Sequence, residues 1–163
     1  MTIAEEDAVD RAAELTAVAR QVIDTNLYMT LGTADQDGTP WVSPVYFVAS
    51  LGYGEFYWAS TTDTRHSRNL AVRSEISIVI FDSQVPVYQG RAVYLTATGQ
   101  ELSGDDLDAG IAVYNGPADA RGVSAVERAD LEAPAAYRLY RAVVTRHYTL
   151  DPRGHDLRVP VNL

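Results

Sequence analysis

Arg65-His66-Ser67-Arg68-Asn69 sets two guanidinium groups and an imidazole within one turn of what reads as a helix start. A helix start carries about half a positive charge, so cations there are normally disfavoured. Free backbone N–H groups and positive charge at one helix end are what a phosphate requires. Ser60, Thr61, Thr62, Thr64 and Ser67 crowd the same stretch with hydroxyls. Hydroxyls, guanidinium groups and free N–H groups together make a phosphate cradle. The competing reading is a solvated surface where Arg65 and Arg68 pair with Asp63 or Glu75, because exposed ion pairs are common and worth little.

A second group lies at Trp41-Val42-Ser43-Pro44-Val45-Tyr46. Pro44 falls mid-strand, where it cannot donate to a ladder, so it belongs on an edge or beside another planar group. An edge strand that resists aggregation is the plainer explanation. Trp41, Tyr46, Tyr57 and Trp58 add aromatic area nearby, either as core or as ligand surface. Gln89-Gly90-Arg91 enters a strand after the Pro86 loop. It is either a solvated loop end or a polar contact for the heteroatoms of a ring.

Other chemistries find less support. The chain has no cysteine, which removes disulfides, thiolate nucleophiles and Cys-ligated metals. His66, His147 and His155 lack zinc-site spacing, and Asp35 and Asp37 before Gly38 lack the distant Glu of a calcium loop. No metal site is expected. There is no nucleophile elbow, P-loop or dinucleotide fingerprint. A Ser-His-Asp triad assembles only in the fold, and nothing in the sequence points to one. A net charge of −9 argues against nucleic acid and anionic membranes, which call for a broad basic face. No run approaches a transmembrane span. Met1 to Asp10 is acidic and lacks the order of a secretion signal, so the expectation is a soluble cytoplasmic protein.

The elements that must position these residues are legible in outline. With 163 residues and no linker, one domain over 1–163 is expected. Thr2 and Glu5 have capping-box spacing, and Ala8 through Ile23 follow at helical period, giving an amphipathic helix over 1–25. Strands are expected at Leu27 to Thr33, Trp41 to Ala49, Phe56 to Ala59, Glu75 to Asp82, Arg91 to Glu101, Tyr137 to Leu150 and Leu157 to Val161. Asp35 to Gly38 reads as a hairpin turn, and Asp151 to Gly154 as another. A short helix runs from Arg65 to near Arg73. The 103–135 region reads as a helix capped by Ser103, then a mobile surface excursion with at most one helical turn near Val126. These strands suggest a mainly β fold, a closed or partly closed antiparallel barrel with short helices.

The order of Leu31-Gly32-Thr33, Gly38-Thr39-Pro40-Trp41-Val42-Ser43-Pro44-Val45, Phe56-Tyr57-Trp58-Ala59-Ser60 and Arg65-His66-Ser67-Arg68-Asn69-Leu70 resembles the pyridoxamine 5'-phosphate oxidase-like family, the FMN-binding split barrels. The match runs over residues 20 to 100, and Tyr137 to Val161 resembles the family's C-terminal strand pair. The resemblance implies a six-stranded split β-barrel, a homodimer, and two FMN sites at the subunit interface. It puts Arg65 and His66 on the family's Arg-Lys phosphate pair, with Ser67 and Arg68 beside them. His at position 66 lowers the charge offered to the phosphate unless it is held protonated. Ser43, Pro44 and Val45 match the strand along the isoalloxazine ring, while Trp58, Ala59 and Ser60 match residues lining the ribityl chain. Gln89 and Arg91 sit near a flavin-contacting Gln. Tyr148 takes the place of a C-terminal Trp donated by the partner subunit, and Arg158 lies where a substrate-phosphate Arg falls. The chain is shorter than the oxidases that make pyridoxal phosphate and lacks their full substrate set. The expectation is therefore an FMN-dependent oxidoreductase acting on another small molecule, with no catalytic residue named. The alternatives are a deazaflavin-dependent reductase and a non-catalytic flavin- or haem-binding protein for storage or sensing.

Overall fold

The computed structural model describes residues 3–151 and 156–163, with side chains from residue 7 onward. The expected capping pair Thr2 and Glu5, and most of the turn Asp151 to Gly154, lie outside the described residues and side chains.

Helix α1 (Ile3–Thr25) presents Leu15, Ala19, Val22 and Ile23 to the core, following the spacing of its apolar positions. Strands β1 (Tyr28–Ala34) and β2 (Pro40–Tyr46) form a hairpin. Its turn closes with Gly38 at φ 86°, a backbone region that favours glycine. Asp35 Oδ1 accepts from the Asp37 and Thr39 amides and holds the turn in shape. After Phe47 the chain continues as β3 (Val48–Ala49), then β4 (Glu55–Thr61), α2 (Arg65–Val72), β5 (Glu75–Phe81) and β6 (Ala92–Glu101). Helices α3 (Gly104–Asn115) and α4 (Ala118–Arg121) and a 3-10 turn at Arg128–Asp130 precede β7 (Tyr137–Leu150) and β8 (Arg158–Val161).

All pairings are antiparallel, in the order β2-β1-β5-β6-β7-β4-β3, with β8 also on β7. The two ends of this order, β2 and β3, are joined through the single residue Phe47. Chain continuity therefore curls the sheet into a split barrel where hydrogen bonds do not close it. Phe47 is fully buried, and its amide donates to the Leu27 carbonyl at 3.1 Å. The run expected as one strand from Trp41 to Ala49 is thus two strands serving opposite edges. That break turns the seven strands expected along the chain into eight segments, against the six that the resemblance implies.

Alternation sets the core. Ile76, Ile78 and Ile80 of β5 face inward beside Leu31, Val93 and Leu95, each buried side chain contributing roughly 1.5–3 kcal/mol. A second cluster of Tyr57, Leu102, Leu107, Leu131 and Leu139 lies beneath α3. Leu131 belongs to the stretch expected as a mobile excursion. Instead, that stretch carries two helical turns, at 118–121 and 128–130, and buries Ala118 and Leu131. Asn115 also ties it down, exchanging side-chain hydrogen bonds of 2.9 Å with the Val126 backbone. The expected Ser103 cap has the right extended backbone but makes no side-chain cap hydrogen bond.

Candidate functional site

Helix α2 begins where β4 ends. Thr64 is its N-cap, its hydroxyl accepting from the Ser67 amide, while the Arg68 amide reaches the Thr64 carbonyl at 3.0 Å. The amides of Arg65 and His66, in the first turn, have no carbonyl within the helix to bond to. No acidic side chain occupies that turn, so the turn itself supplies no countercharge to the positive helix end.

Beneath these amides runs a buried polar network. His66 Nε2 lies 2.8 Å from Ser60 Oγ and 3.1 Å from Thr64 Oγ1, and its Nδ1 lies 3.1 Å from Ser43 Oγ. Trp41 Nε1 donates to Ser43 Oγ at 3.0 Å. An indole N–H only donates, so Ser43 Oγ accepts there, and it keeps its own proton and a second lone pair with which to meet His66 Nδ1. Thr64 Oγ1 lies 2.8 Å from Ser67 Oγ and extends the network. His66 thus cross-links β2, β4 and α2.

Burial holds the His66 imidazole below the usual histidine range. Burial favours the neutral ring, so the condition under which position 66 adds charge is not met. The cations at this helix end are Arg65 and Arg68. The Arg65 guanidinium lies over Trp41, 4.6 Å from the ring centroid, with Asp35 Oδ2 at 3.8 Å. Arg68 is exposed and donates to the Asp63 carbonyl. The solvated-pair reading named Asp63 or Glu75 as carboxylate partners, but neither forms an ion pair among the described residues.

The structure brings Ser43, Ser60, Arg65, His66, Ser67 and Arg68 together. Pro44 lies beside Ser43 on β2, opposite Thr30, with β2 at one end of the strand order. Val45 and Trp58 turn their side chains into the core, Trp58 stacking on Tyr140 at 5.5 Å with its Nε1 buried and unpartnered. Ala59 follows on β4, half-buried. Gln89 and Arg91 stand elsewhere, lining a cleft of about 990 Å³ between α1 and the 82–91 loop. Tyr148 and Arg158 line a third place, a groove of about 440 Å³ on the sheet with Thr30, Val42, Val79 and Tyr94. Sequence reasoning missed the Trp41 roof over Arg65 and the Asn69 side chain, which donates to Thr33 Oγ1 at 2.9 Å and pins α2 to β1. The Arg-aromatic pairing was available as a signal, since Trp41 already stood out by type.

A model of the pyridoxamine 5'-phosphate oxidase family matches residues 15–148. The chain belongs to this family. Solved structures agree on the fold. A heme-binding protein from Mycobacterium smegmatis superposes with a TM-score of 0.69 at 21% identity, over 91% of this chain and 57% of that one. The chain therefore spans little more than half of that relative's length. HutZ, a heme storage protein from Vibrio cholerae, gives a TM-score of 0.58 at 19% identity, over 77% of this chain and 86% of that one. An F420 reductase gives 0.57 at 20% identity, over 79% and 94%. No protein of curated function matches the sequence. Proteins of this fold thus include two named for heme and one named for F420. No helix among the described residues is long and apolar enough to cross a membrane, and no three metal-ligating side chains gather among them.

Proposed function

We propose that this chain binds FMN and acts as an FMN-dependent oxidoreductase on a small molecule. The observation that carries this reading is the α2 helix start. Two amides without a helical carbonyl, the residues Arg65 and Arg68 and a run of hydroxyls stand in or beside that first turn, which holds no acidic side chain. Such a donor-rich set suits the dianionic phosphate of a mononucleotide. His66 serves by holding Ser43 and Ser60 in place, and it does so uncharged. The backbone of Ser43, Pro44 and Val45 along the barrel edge is the surface proposed for the flavin ring. When bound, the flavin supplies hydride chemistry, and the protein supplies binding, orientation and local field.

A homodimer with the cofactor at the subunit interface completes the proposal. The groove at Tyr94, Tyr148 and Arg158 is mostly apolar, and Tyr28, Val42 and Phe81 are exposed on the same strands. Exposed apolar area of this kind suits a second copy. Gln89, Arg91 and Tyr148 lie outside the α2 cluster in a single chain. In this proposal they meet cofactor only across that interface.

Haem is less well served at the α2 site. Both ring nitrogens of His66 are engaged with hydroxyls, so His66 offers no free axial ligand. His147 donates Nε2–H to the Tyr53 carbonyl at 2.7 Å, which leaves its Nδ1 free to act as one. Titrating the purified chain with FMN, a deazaflavin coenzyme and haemin separates the three. Saturable binding of FMN alone, or FMN tightest, supports the reading. Preference for either of the others replaces it.

A further inference from the structure

Arg121 ends α4, and its Nη1 donates to the Phe47 carbonyl at 2.8 Å and the Tyr46 hydroxyl at 3.3 Å. Its guanidinium carbon lies 5.6 Å from the Tyr46 ring centroid. None of these partners carries charge. Arg11, Arg65, Arg121, Arg128, Arg138 and Arg141 are the half-buried arginines among the described residues. Each of the others has a carboxylate oxygen within 3.8 Å. Arg121 pairs with no carboxylate among the described residues. Arg121 is half-buried, so part of its hydration is lost and no fixed countercharge among the described residues takes its place, which leaves it open to an anion from outside.

Arg121 stands on the wall of a cavity of about 700 Å³ between α1, β3, α3 and α4. Ile23, Phe47, Val48, Val113 and Pro117 make most of that wall apolar. Asp24 is the one carboxylate lining it, and Asp24 Oδ2 already accepts the Tyr53 hydroxyl at 3.0 Å. The volume falls in the usual range for small-molecule pockets, about 300–1,000 Å³. Ser43, Ser60, Arg65 and Ser67 do not line it, so it is separate from the α2 site.

We propose that this cavity binds an apolar monocarboxylate, with its body against Phe47 and Val48 and its carboxylate on Arg121. The class follows from the wall. An uncharged apolar molecule leaves the guanidinium unpaired. A phosphate dianion brings two negative charges to a cavity that holds one cation and one carboxylate. A single carboxylate matches the planar fork of one arginine, whose Nε and Nη2 are not used by the contacts above. The inference depends neither on a flavin nor on a dimer.

Octanoate and octan-1-ol, titrated separately into the full-length protein as purified and followed by two-dimensional amide NMR, test it. Saturable shifts for octanoate, with octan-1-ol at least about tenfold weaker, are expected. Arg121→Gln loses about tenfold in octanoate affinity and leaves octan-1-ol unchanged. Ala112→Trp, which fills the cavity from α3 while keeping Arg121, abolishes both, and it carries the test should Arg121→Gln fail to fold. Absence of saturable octanoate binding by the native protein overturns the proposal. So does native octanoate affinity in a folded Arg121→Gln or Ala112→Trp variant.

Discussion

His66 Nδ1 and Ser43 Oγ stand 3.1 Å apart across 23 positions of sequence. That contact ties the first turn of α2 to the edge strand β2. It joins the two places where the proposed cofactor would be held, one by its phosphate and the other along its ring. Because the imidazole is buried, its neutral form is favoured.

Removing the imidazole therefore disturbs both sides. His66→Leu leaves the Ser43 and Ser60 hydroxyls facing an apolar side chain, at a cost of about 1–3 kcal/mol for buried unsatisfied groups. Denaturant unfolding followed by circular dichroism should show this loss, and His66→Gln should recover part of it. A Leu variant as stable as the native chain would mean the network does not contribute.

The same burial sets a pH dependence. The folded-state pKa of His66 lies below the ordinary 6.5, so the unfolded chain binds the proton more readily. The stabilising contribution is complete above 6.5 and is lost as pH falls towards the folded-state value. Thermal melts at pH 7.5 and 5.5 should show a larger drop for the native chain than for His66→Gln. Equal drops would remove His66 from the account.

Arg65 contributes to the phosphate end in the proposed function. Arg65→Ala should weaken FMN binding by about 10- to 100-fold, the value of one or two charge-assisted hydrogen bonds. Its cost to stability should be small. Its contacts are the exposed stack on Trp41 and a 3.8 Å approach to Asp35, together worth about 1 kcal/mol. Isothermal titration and thermal melting separate the two effects.

The proposed dimer is tested at Val42, which is 63% exposed and lines the groove with Tyr148. Val42→Asp places a charge on an apolar face at little cost to an isolated chain. Light scattering after gel filtration should show a native dimer and a folded variant monomer. A native monomer would end the interface proposal.

Much of the fold can be read from local pattern. Ile76, Ile78 and Ile80 alternate as buried strand residues must, and Asp35 to Gly38 carries its own turn chemistry. Thr64 and Ser67 announce the start of α2 by type and spacing. What stayed hidden depends on distance in sequence. The run Trp41 to Ala49 reads as one strand, yet Phe47 transfers it from one sheet edge to the other, because β2 finds β1 and β3 finds β4. Leu131 sits in a Gly-, Ala- and Asp-rich stretch and is nevertheless a core residue, because it packs with Tyr57, Leu102, Leu107 and Leu139, which are distant in sequence.

Leu131→Ala checks that last reading. It should cost about 2–5 kcal/mol, the range for a fully buried leucine, whereas Val123→Ala on the exposed part of the same stretch should be nearly neutral. Urea unfolding of both variants decides it, and equal, small losses would return the stretch to a loose surface loop.

The most direct test of the cofactor claim is visible absorbance of the native chain after incubation with FMN and gel filtration. The account predicts a flavin spectrum that travels with the protein at one FMN per chain and is much reduced in Arg65→Ala. A native protein that emerges colourless, with all FMN in the small-molecule fraction, would contradict it.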